Sequence, residues 1–174
     1  MLDLETLGTA HNAAILSIGA IKFDPMGDEN SPDERFHVAI DPRTCTDYGM
    51  TVDASTVMWW LDDQRDEARK DMSVREKLDL PSALYGFVEW FGPKSLPIWG
   101  NAASFDNTIL KTAYELIGMD PPWRFWDDRC YRTLKNLAPG VEMDRTGTHH
   151  TALDDAVSQA RHMQRIVAHL GLQL

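Results

Sequence analysis

The pattern of hydrophobic and polar positions predicts three strands in the first quarter of the chain. The first and third alternate apolar with polar residues, as strands with one solvated face do, whereas the second is almost wholly apolar and predicts a buried strand. A turn containing Pro and Gly at 24–28 separates the last two, and short connections of this kind join antiparallel neighbours. We therefore expect an antiparallel meander built from residues 1–7, 13–23 and 34–40.

Most of the remaining chain shows helical periodicity, interrupted by two short strands. In the closing helix at 151–170, apolar residues recur at intervals of three and four and form one stripe along the helix. Further helices are predicted at 53–61, 62–70, 81–92, 104–117 and 131–137, and strands at 95–99 and 125–128. Strands followed by alternating strands and helices predict an α/β fold in which helices flank a mixed β-sheet.

Length and composition are those of an ordinary globular domain. The 174 residues fit a single domain, 1–174, with 43% hydrophobic and 25% charged residues. No apolar run approaches the ~18–20 residues that cross a membrane, and the first residues do not resemble a secretory signal. Cys45 and Cys130 are too few for a disulfide framework and predict free thiols in a reducing compartment. A cytoplasmic location without membrane contact is expected.

The charge of the chain limits how it could bind nucleic acid. Seventeen basic and 27 acidic side chains give a formal net charge of −10. Such a charge disfavours a protein that holds nucleic acid by bulk attraction. It is compatible with an enzyme that binds nucleic acid through metal ions, because bound divalent cations put positive charge where a phosphate binds.

Three separated segments each carry a carboxylate at the end of a predicted element. Asp3 and Glu5 share one face of the first strand, since residues two apart in a strand point the same way. Asp106 begins a helix after a turn of small residues, and Asp155 lies in the first turn of the closing helix. Taken singly, each has a structural explanation, such as a solvated strand face or an acid that stabilises a helix N-terminus. Together, they form a set of oxygen ligands that suits Mg²⁺ or Mn²⁺ better than zinc.

Two neighbouring carboxylates of the closing helix, Asp154 and Asp155, are candidates for the metal ligand. Thr151 and Asp154 have the spacing of a capping box, which gives Asp154 a structural role. At 100° per residue, Asp154 lies about 150° and Asp155 about 110° from the centre of the apolar stripe. Asp155 therefore lies at the edge of the buried face, and Asp154 is expected to face water. The same geometry selects His150, five residues before Asp155, over His149.

The predicted ligand set favours chemistry at phosphorus. Two divalent cations about 3.5–4 Å apart promote in-line displacement at a phosphate. A neighbouring imidazole, with an ordinary pKa of about 6.5, can take the proton of the attacking water. His150 is accordingly the predicted general base.

Three short motifs follow one another along nearly the whole chain. They are Asp-Leu-Glu-Thr from Asp3, Asn-Ala-Ala-Ser-Phe-Asp from Asn101 and His-Thr-Ala-Leu-Asp-Asp from His150. At these separations, they resemble the three exonuclease motifs of the DnaQ-like (DEDDh) 3′→5′ exonucleases. The chain is most similar to a phage and bacterial branch of small stand-alone exonucleases that includes exoribonuclease-like members. The resemblance implies a ribonuclease H-like fold and a bacterial protein, or one encoded by a phage.

The resemblance also assigns roles to individual residues. It implies that two Mg²⁺ or Mn²⁺ ions are bound by Asp3, Glu5, Asp106 and Asp155, with His150 as general base. It implies that the backbone of Thr6 and Leu7 holds the 3′-hydroxyl, with the Leu7 side chain wedged against the last base. Asn101, five residues before Asp106 as in oligoribonucleases, would steady the turn that presents this carboxylate.

Aromatic and basic residues supply further candidates for substrate binding. Trp59 and Trp60 are adjacent in one helix and cannot both be buried in the same way, so one of them, with Trp60 as the candidate, is expected to line the nucleotide site. Core or edge packing is expected for Trp90, Trp123 and Trp126, and surface positions for His11, His37, His162 and His169. The residues Lys111, Arg129, Arg132 and Arg145 could contact phosphates, and the sequence does not rank them.

The motifs predict a metal-dependent enzyme that removes nucleotides one at a time from 3′ ends. The expected substrates are single-stranded or short DNA or RNA, the expected products are nucleoside 5′-monophosphates, and a homodimer is left open. One alternative is a module of the same fold that has lost catalysis and binds a nucleic-acid end or a protein. Another is a two-metal phosphohydrolase of nucleotides. The presence of all five catalytic-type residues disfavours the first alternative, and product analysis distinguishes the second.

Overall fold

A mixed β-sheet forms the centre of the protein, whose computed structural model describes residues 1–28, 31 and 33–173. Within these residues, six strands run in the spatial order β4-β3-β2-β1-β5-β6. They are β1 (Leu2–Thr6), β2 (Ile15–Lys22), β3 (Glu34–Ile40), β4 (Lys77–Leu78), β5 (Ile98–Gly100) and β6 (Asp128–Cys130). The first three are antiparallel neighbours, and β4, β5 and β6 each run parallel to the strand beside them. The predicted meander and the ribonuclease H-like α/β fold are both confirmed.

The described residues contain seven α-helices. They are α1 (Pro42–Asp47), α2 (Ala54–Trp60), α3 (Asp66–Val74), α4 (Leu80–Phe91), α5 (Asp106–Leu116), α6 (Tyr131–Leu137) and α7 (Ala152–Leu170). Of these, α1, α4, α5, α6 and α7 contact the strands of this sheet. None of the helices in the described part of the chain is long and apolar enough to cross a membrane. Sequence periodicity missed α1 and β4, because elements of so few residues show no recognisable period.

The two faces of the sheet bury separate apolar clusters. Leu2 and Leu4 of β1 pack with α4 and α5 in the larger cluster. The other face is covered by α6 and α7, which pack around Met1 and Ile21. Asp3 and Glu5 alternate with the two leucines along β1, so their side chains lie on the α7 side. The predicted alternation of the first strand is therefore present, and it directs both acids toward a helix rather than toward water.

A glycine lets α7 approach the sheet. Gly19 of β2 lies directly opposite Asp3 in the antiparallel ladder. A Cβ atom at this position would lie 2.1–2.4 Å from backbone atoms of Ala152 and Leu153 at the start of α7. No side chain fits in that space. Because glycine has none, the first turn of α7, including Asp155, can lie against β1 and β2.

Helix caps follow the prediction at α2 but not at α7. The Asp53 side chain accepts a hydrogen bond from the Thr56 backbone N–H at 3.0 Å and caps α2 as expected. At α7, the Thr151 hydroxyl makes no capping bond and lies buried without a partner among the described residues. Asp154 instead accepts from the Thr148 backbone N–H at 2.8 Å, within the preceding loop. The predicted capping box is thus wrong, and Asp154 is half-buried rather than turned to water.

Three further expectations, about one strand and two single residues, are wrong. Residues 125–128 do not form a strand, because a 3₁₀ helix occupies Phe125–Asp127 and β6 begins at Asp128. Trp126 is 55% exposed and contacts Phe125 rather than the core, whereas Trp123 is buried as expected. His162 is buried rather than superficial: the Tyr131 hydroxyl donates to its Nδ1 at 2.6 Å, and its Nε2 donates to the Val141 carbonyl at 2.7 Å.

Candidate active site

Three carboxylates from distant parts of the chain meet beside β1. Oxygen atoms of Asp3, Glu5 and Asp155 all lie within 4.8 Å of one another. Glu5 and Asp155 are buried, with 7% and 9% of their surface exposed, and Asp3 is partly buried. The strand supplies the first two side chains, and the first turn of α7 supplies the third. We call these three residues the acidic cluster.

Asp106 lies beside the acidic cluster at the N-terminus of α5. Its side chain is only 3% exposed, and Oδ1 accepts a hydrogen bond from the Leu4 backbone N–H at 3.2 Å. Its charge acts on both Asp3 and Glu5, but its oxygens are not among those that lie within 4.8 Å of one another. A Cβ atom at Gly100 would lie 3.1 Å from that of Asp106, so this glycine lets α5 begin directly against β5.

Burial and mutual repulsion perturb the acids of this region. Burial, with smaller contributions from the neighbouring carboxylates, raises the pKa of Glu5 to about 8 and that of Asp3 well above its ordinary value. Burial also raises the pKa of Asp106 to about 7, although hydrogen bonds from the Leu4 and Asn101 backbones act in the opposite direction. Hard oxygen donors crowded in a buried place fit divalent cations, whose charge offsets the repulsion among the carboxylates.

Asp155 is held by two donors from the loop before α7. Arg145 donates to Oδ1 at 2.7 Å, and the His150 backbone N–H donates to Oδ2 at 3.0 Å. His150 has a left-handed backbone with φ 65°, a conformation that L-residues rarely adopt. In this backbone conformation, the His150 N–H reaches the Asp155 carboxylate.

The His150 ring lies among other rings at the edge of the acidic cluster. It stacks on His149 with 3.8 Å between ring centroids and meets the Trp59 ring edge-on at 4.9 Å. Atoms of both histidines lie within 4.8 Å of a carboxylate oxygen of Asp155. Burial first, and then the charge of His149, lower the pKa of His150 below its ordinary 6.5. The neutral imidazole that results is able to accept a proton.

Gln159 is a residue of this site that the sequence motifs did not indicate. Its Nε2 donates to Oδ1 of Asp3 at 2.8 Å, and its Oε1 is buried without a partner among the described residues. Gln159 follows Asp155 by one helical turn, so both point to the same side of α7. That four-residue spacing after an acid at a buried helix edge is the signal that would have revealed it.

An aromatic pocket adjoins the acidic cluster and shares Glu5 with it. This cavity of about 410 Å³ is lined by residues of α2 and of the turn after β1, including Thr6, Trp59 and Trp60. Trp60 is 5% exposed, and its Nε1 donates to the Thr6 carbonyl at 2.9 Å, whereas Trp59 is 38% exposed. Trp60 thus holds the backbone at the end of β1, and Trp59 presents its ring to the cavity and to His150.

The remaining candidates for substrate contact lie at the ends of β1 and β5. The Leu7 backbone N–H donates to Ala14 at 2.8 Å, and its carbonyl accepts from Asp53 at 2.7 Å. The Thr6 hydroxyl donates to the Gly8 carbonyl at 2.7 Å. Asn101 lies in the turn before α5, where its backbone N–H bonds to the Asp106 carboxylate. Its place in the turn that carries Asp106 agrees with the expected position.

A larger apolar cavity is separate from this chemistry. It has a volume of about 520 Å³, and Trp90, Trp99 and Arg129 are among its lining residues. None of the four acids contributes to its wall, whereas all four line a cavity of about 240 Å³ together with His149 and His150. The cavity that contains the acids is therefore the candidate active site.

Comparison with known protein families gives a match over almost the whole chain. A search among curated proteins found no match to the chain. A profile of the 3′-5′ exoribonuclease Rv2179c-like domain matches residues 1–167, which include every residue of the site described above. Because that match spans almost the whole sequence, the chain belongs to the Rv2179c-like 3′-5′ exoribonuclease family, a DnaQ-like family of phosphodiester hydrolases.

Proposed function

We propose that the protein hydrolyses RNA from its 3′ end, one nucleotide at a time, with the aid of two Mg²⁺ or Mn²⁺ ions. The expected substrates are single-stranded or short RNA, and the products are nucleoside 5′-monophosphates. The observation that carries this proposal is the meeting of Asp3, Glu5 and Asp155 within 4.8 Å, beside His150, in a member of an exoribonuclease family.

Asp3, Glu5, Asp106 and Asp155 are the residues that would hold the ions. Their oxygens supply the hard donors that Mg²⁺ and Mn²⁺ prefer. Among the described residues, Arg145 is the one cation in an ion pair with any of the four. When bound, the two cations supply Lewis acidity that favours attack of water at phosphorus and stabilises the leaving oxygen. Gln159 fixes the orientation of Asp3, and the His150 N–H fixes that of Asp155.

His150 acts as the general base in this scheme. Its neutral ring accepts a proton from the water that attacks the last phosphate. The bond between phosphorus and the 3′-oxygen of the preceding nucleotide then breaks, and the leaving oxygen takes a proton from solvent, which leaves a new 3′-hydroxyl on the RNA. Contact with Trp59 and His149 limits the freedom of the His150 ring, so the base is held at the edge of the acidic cluster.

The aromatic pocket receives the terminal nucleoside. Trp59, which is 38% exposed and carries the Arg65 guanidinium 4.2 Å from its ring centroid, offers its ring to the base, and Trp60 holds the Thr6 carbonyl in place. Thr6 and Leu7 meet the terminal nucleotide at the end of β1, and Asn101 supports the turn that presents Asp106. This arrangement puts the last sugar close to the acidic cluster, where its 5′-phosphate is the group attacked.

Matched oligonucleotides labelled at the 5′ end test the proposal. Wild-type protein with Mg²⁺ or Mn²⁺ is expected to give a ladder of RNA shortened from the 3′ end and to release 5′-monophosphates, and EDTA is expected to abolish both. Cleavage of free nucleotides alone would instead identify a nucleotide phosphohydrolase. Binding of the RNA without any cleavage would identify a module that has lost catalysis, and degradation of DNA alone would contradict the proposed substrate.

A further inference from the structure

Two basic side chains lie on one exposed face of α6. Arg132 and Lys135 are three residues apart and both exposed, whereas Tyr131 and Leu134 turn into the apolar cluster beneath α7. Residues three apart are neighbours on a helix surface, so the two charges form a short row. We call Arg132 and Lys135 the basic ridge.

The basic ridge belongs to the wall of the candidate active site. Both residues line the same cavity of about 240 Å³ as the four acids. The Arg132 guanidinium is oriented toward the turn before α5, because its Nη2 donates to the Asn101 carbonyl at 2.8 Å. The ridge therefore lies next to the acids, on the side of β5 and α6.

The side chains of the basic ridge are not held in ion pairs with described residues, unlike Arg145. Neither Arg132 nor Lys135 forms a salt bridge with any described residue. Arg145 is paired with Asp155, and Lys111 lies 3.7 Å from Glu115 on α5, outside the cavity. Arg129 lines the separate apolar cavity. Among the Arg and Lys side chains that line the cavity, those of α6 are thus the ones without an ion pair to a described residue.

The ridge and the aromatic pocket line two different cavities, and Glu5 belongs to both of them. The aromatic pocket and the catalytic cavity share Leu4, Glu5 and Phe105 but otherwise have different walls. One wall is aromatic, which suits a base, and the other carries unpaired cations, which suit phosphates. Because both cavities include Glu5, a strand with its last base in the aromatic pocket and a phosphate at α6 would pass the acids.

We propose that the basic ridge of Arg132 and Lys135 binds the phosphates of the nucleotides that precede the cleaved linkage. This inference rests on the proposed function and adds to it the path of the RNA and the expectation that oligonucleotides with upstream phosphates bind more tightly than a dinucleotide. In a chain of net charge −10, the ridge supplies local attraction where bulk attraction is lacking. A dinucleotide has no phosphate upstream of its single linkage, so its binding gains nothing from the ridge.

Binding of fluorescein-labelled RNA tests the ridge without requiring cleavage. The variants are Arg132→Gln, Lys135→Gln and the double variant, and Lys111→Gln is the matched control, since it removes an exposed helical cation outside the cavity. Anisotropy is measured with Ca²⁺ present, and gels verify that the RNA stays intact. The double variant is expected to bind a heptanucleotide about tenfold more weakly, with the slope of log affinity against log salt reduced by about 1.4. Lys111→Gln is expected to match the wild type.

The outcomes separate this inference from the proposed function. The proposed role of the ridge would be overturned if the double variant bound the heptanucleotide within about twofold of the wild-type affinity. It would also be overturned if the double variant lost affinity for a dinucleotide to the same extent. Lys135→Gln alone leaves the Arg132–Asn101 contact in place, so a loss in this variant cannot be ascribed to a disturbed turn. Failure of the wild type to release nucleotides would count against the proposed function, and the binding measurement would still decide the role of the ridge.

Discussion

Arg145 donates a hydrogen bond at 2.7 Å to Oδ1 of Asp155, the carboxylate that also accepts the His150 backbone N–H. The arginine comes from the loop between α6 and α7, and its side chain is 46% exposed. A guanidinium on a carboxylate of the acidic cluster partly balances the negative charge of that cluster. It also competes with any cation that binds the same oxygen.

Replacement of this arginine should tighten metal binding. In Arg145→Gln, the competing charge is gone, so the dissociation constant for Mn²⁺ is expected to fall about two- to fivefold, as measured by calorimetry. The substitution also removes an ion pair from the metal-free protein. The free energy of unfolding is expected to fall by at most about 1 kcal/mol, because solvent screens this pair and keeps it weak. Lys111→Gln is the control, since this substitution also deletes one positive charge, but on the exposed surface of α5. Weaker Mn²⁺ binding in Arg145→Gln would contradict the competition.

Two adjacent acids on α7 provide a matched pair for the ligand assignment. Asp155→Asn is expected to weaken Mn²⁺ binding at least about tenfold and to abolish most RNA cleavage, because it removes an oxygen charge from the acidic cluster. Asp154→Asn is expected to keep both, since Asp154 bonds to the Thr148 backbone and lies outside the catalytic cavity. Calorimetry and a cleavage assay measure the two effects, and the reverse result would show that the wrong acid was assigned.

Gly19 should be essential for the position of α7. In Gly19→Ala, the added Cβ would meet backbone atoms of Ala152 and Leu153, so α7 must shift and carry Asp155 with it. A loss of about 2–3 kcal/mol in the free energy of unfolding is expected, with a fall in kcat of about 100-fold. The control is Gly86→Ala, where the nearest atoms are 3.7 Å away on the Phe36 ring, and stability should be unchanged or slightly higher. Equal behaviour of the two variants would exclude the close approach as the reason for the glycine.

The buried His162 predicts a pH-dependent contribution to stability. Burial lowers the pKa of His162 below its ordinary 6.5, so below that pH the unfolded chain binds more protons than the folded one. The stabilising contribution of the neutral ring is therefore complete above about pH 7 and is lost as the pH falls through the ordinary pKa. Chemical unfolding of wild type and His162→Gln should show a difference of about 1–2 kcal/mol at pH 7.5 that shrinks toward pH 5.

That difference in stability isolates the histidine from other titrating groups. The acids of the active site titrate in both proteins, so subtraction at each pH removes their contribution. A gap between wild type and His162→Gln that is constant from pH 7.5 to pH 5 would show that His162 keeps an ordinary pKa in the folded protein.

Local patterns in the sequence were sufficient to predict whether most elements are helices or strands and which of their faces is buried. The alternation around Asp3 and Glu5 and the apolar stripe of α7 are properties of a few consecutive turns or residues, and they are recovered in the structure. Patterns were insufficient at Phe125–Asp127, where a single 3₁₀ turn has no period of its own. They also failed for His162, whose burial depends on Tyr131 and Val141 from another part of the chain.

The sequence by itself determined which carboxylates to consider, because strand and helix periodicity fixes the direction of a side chain relative to its own element. Only the tertiary structure decided that Asp3, Glu5 and Asp155 meet within 4.8 Å, that Asp106 stands slightly apart, and which partners hold them. Gln159 and Arg145 reach the acids through packing of α7 and its preceding loop on the sheet. That packing depends on the space above Gly19, and contacts of this kind join residues far apart in the chain, where no local period records them.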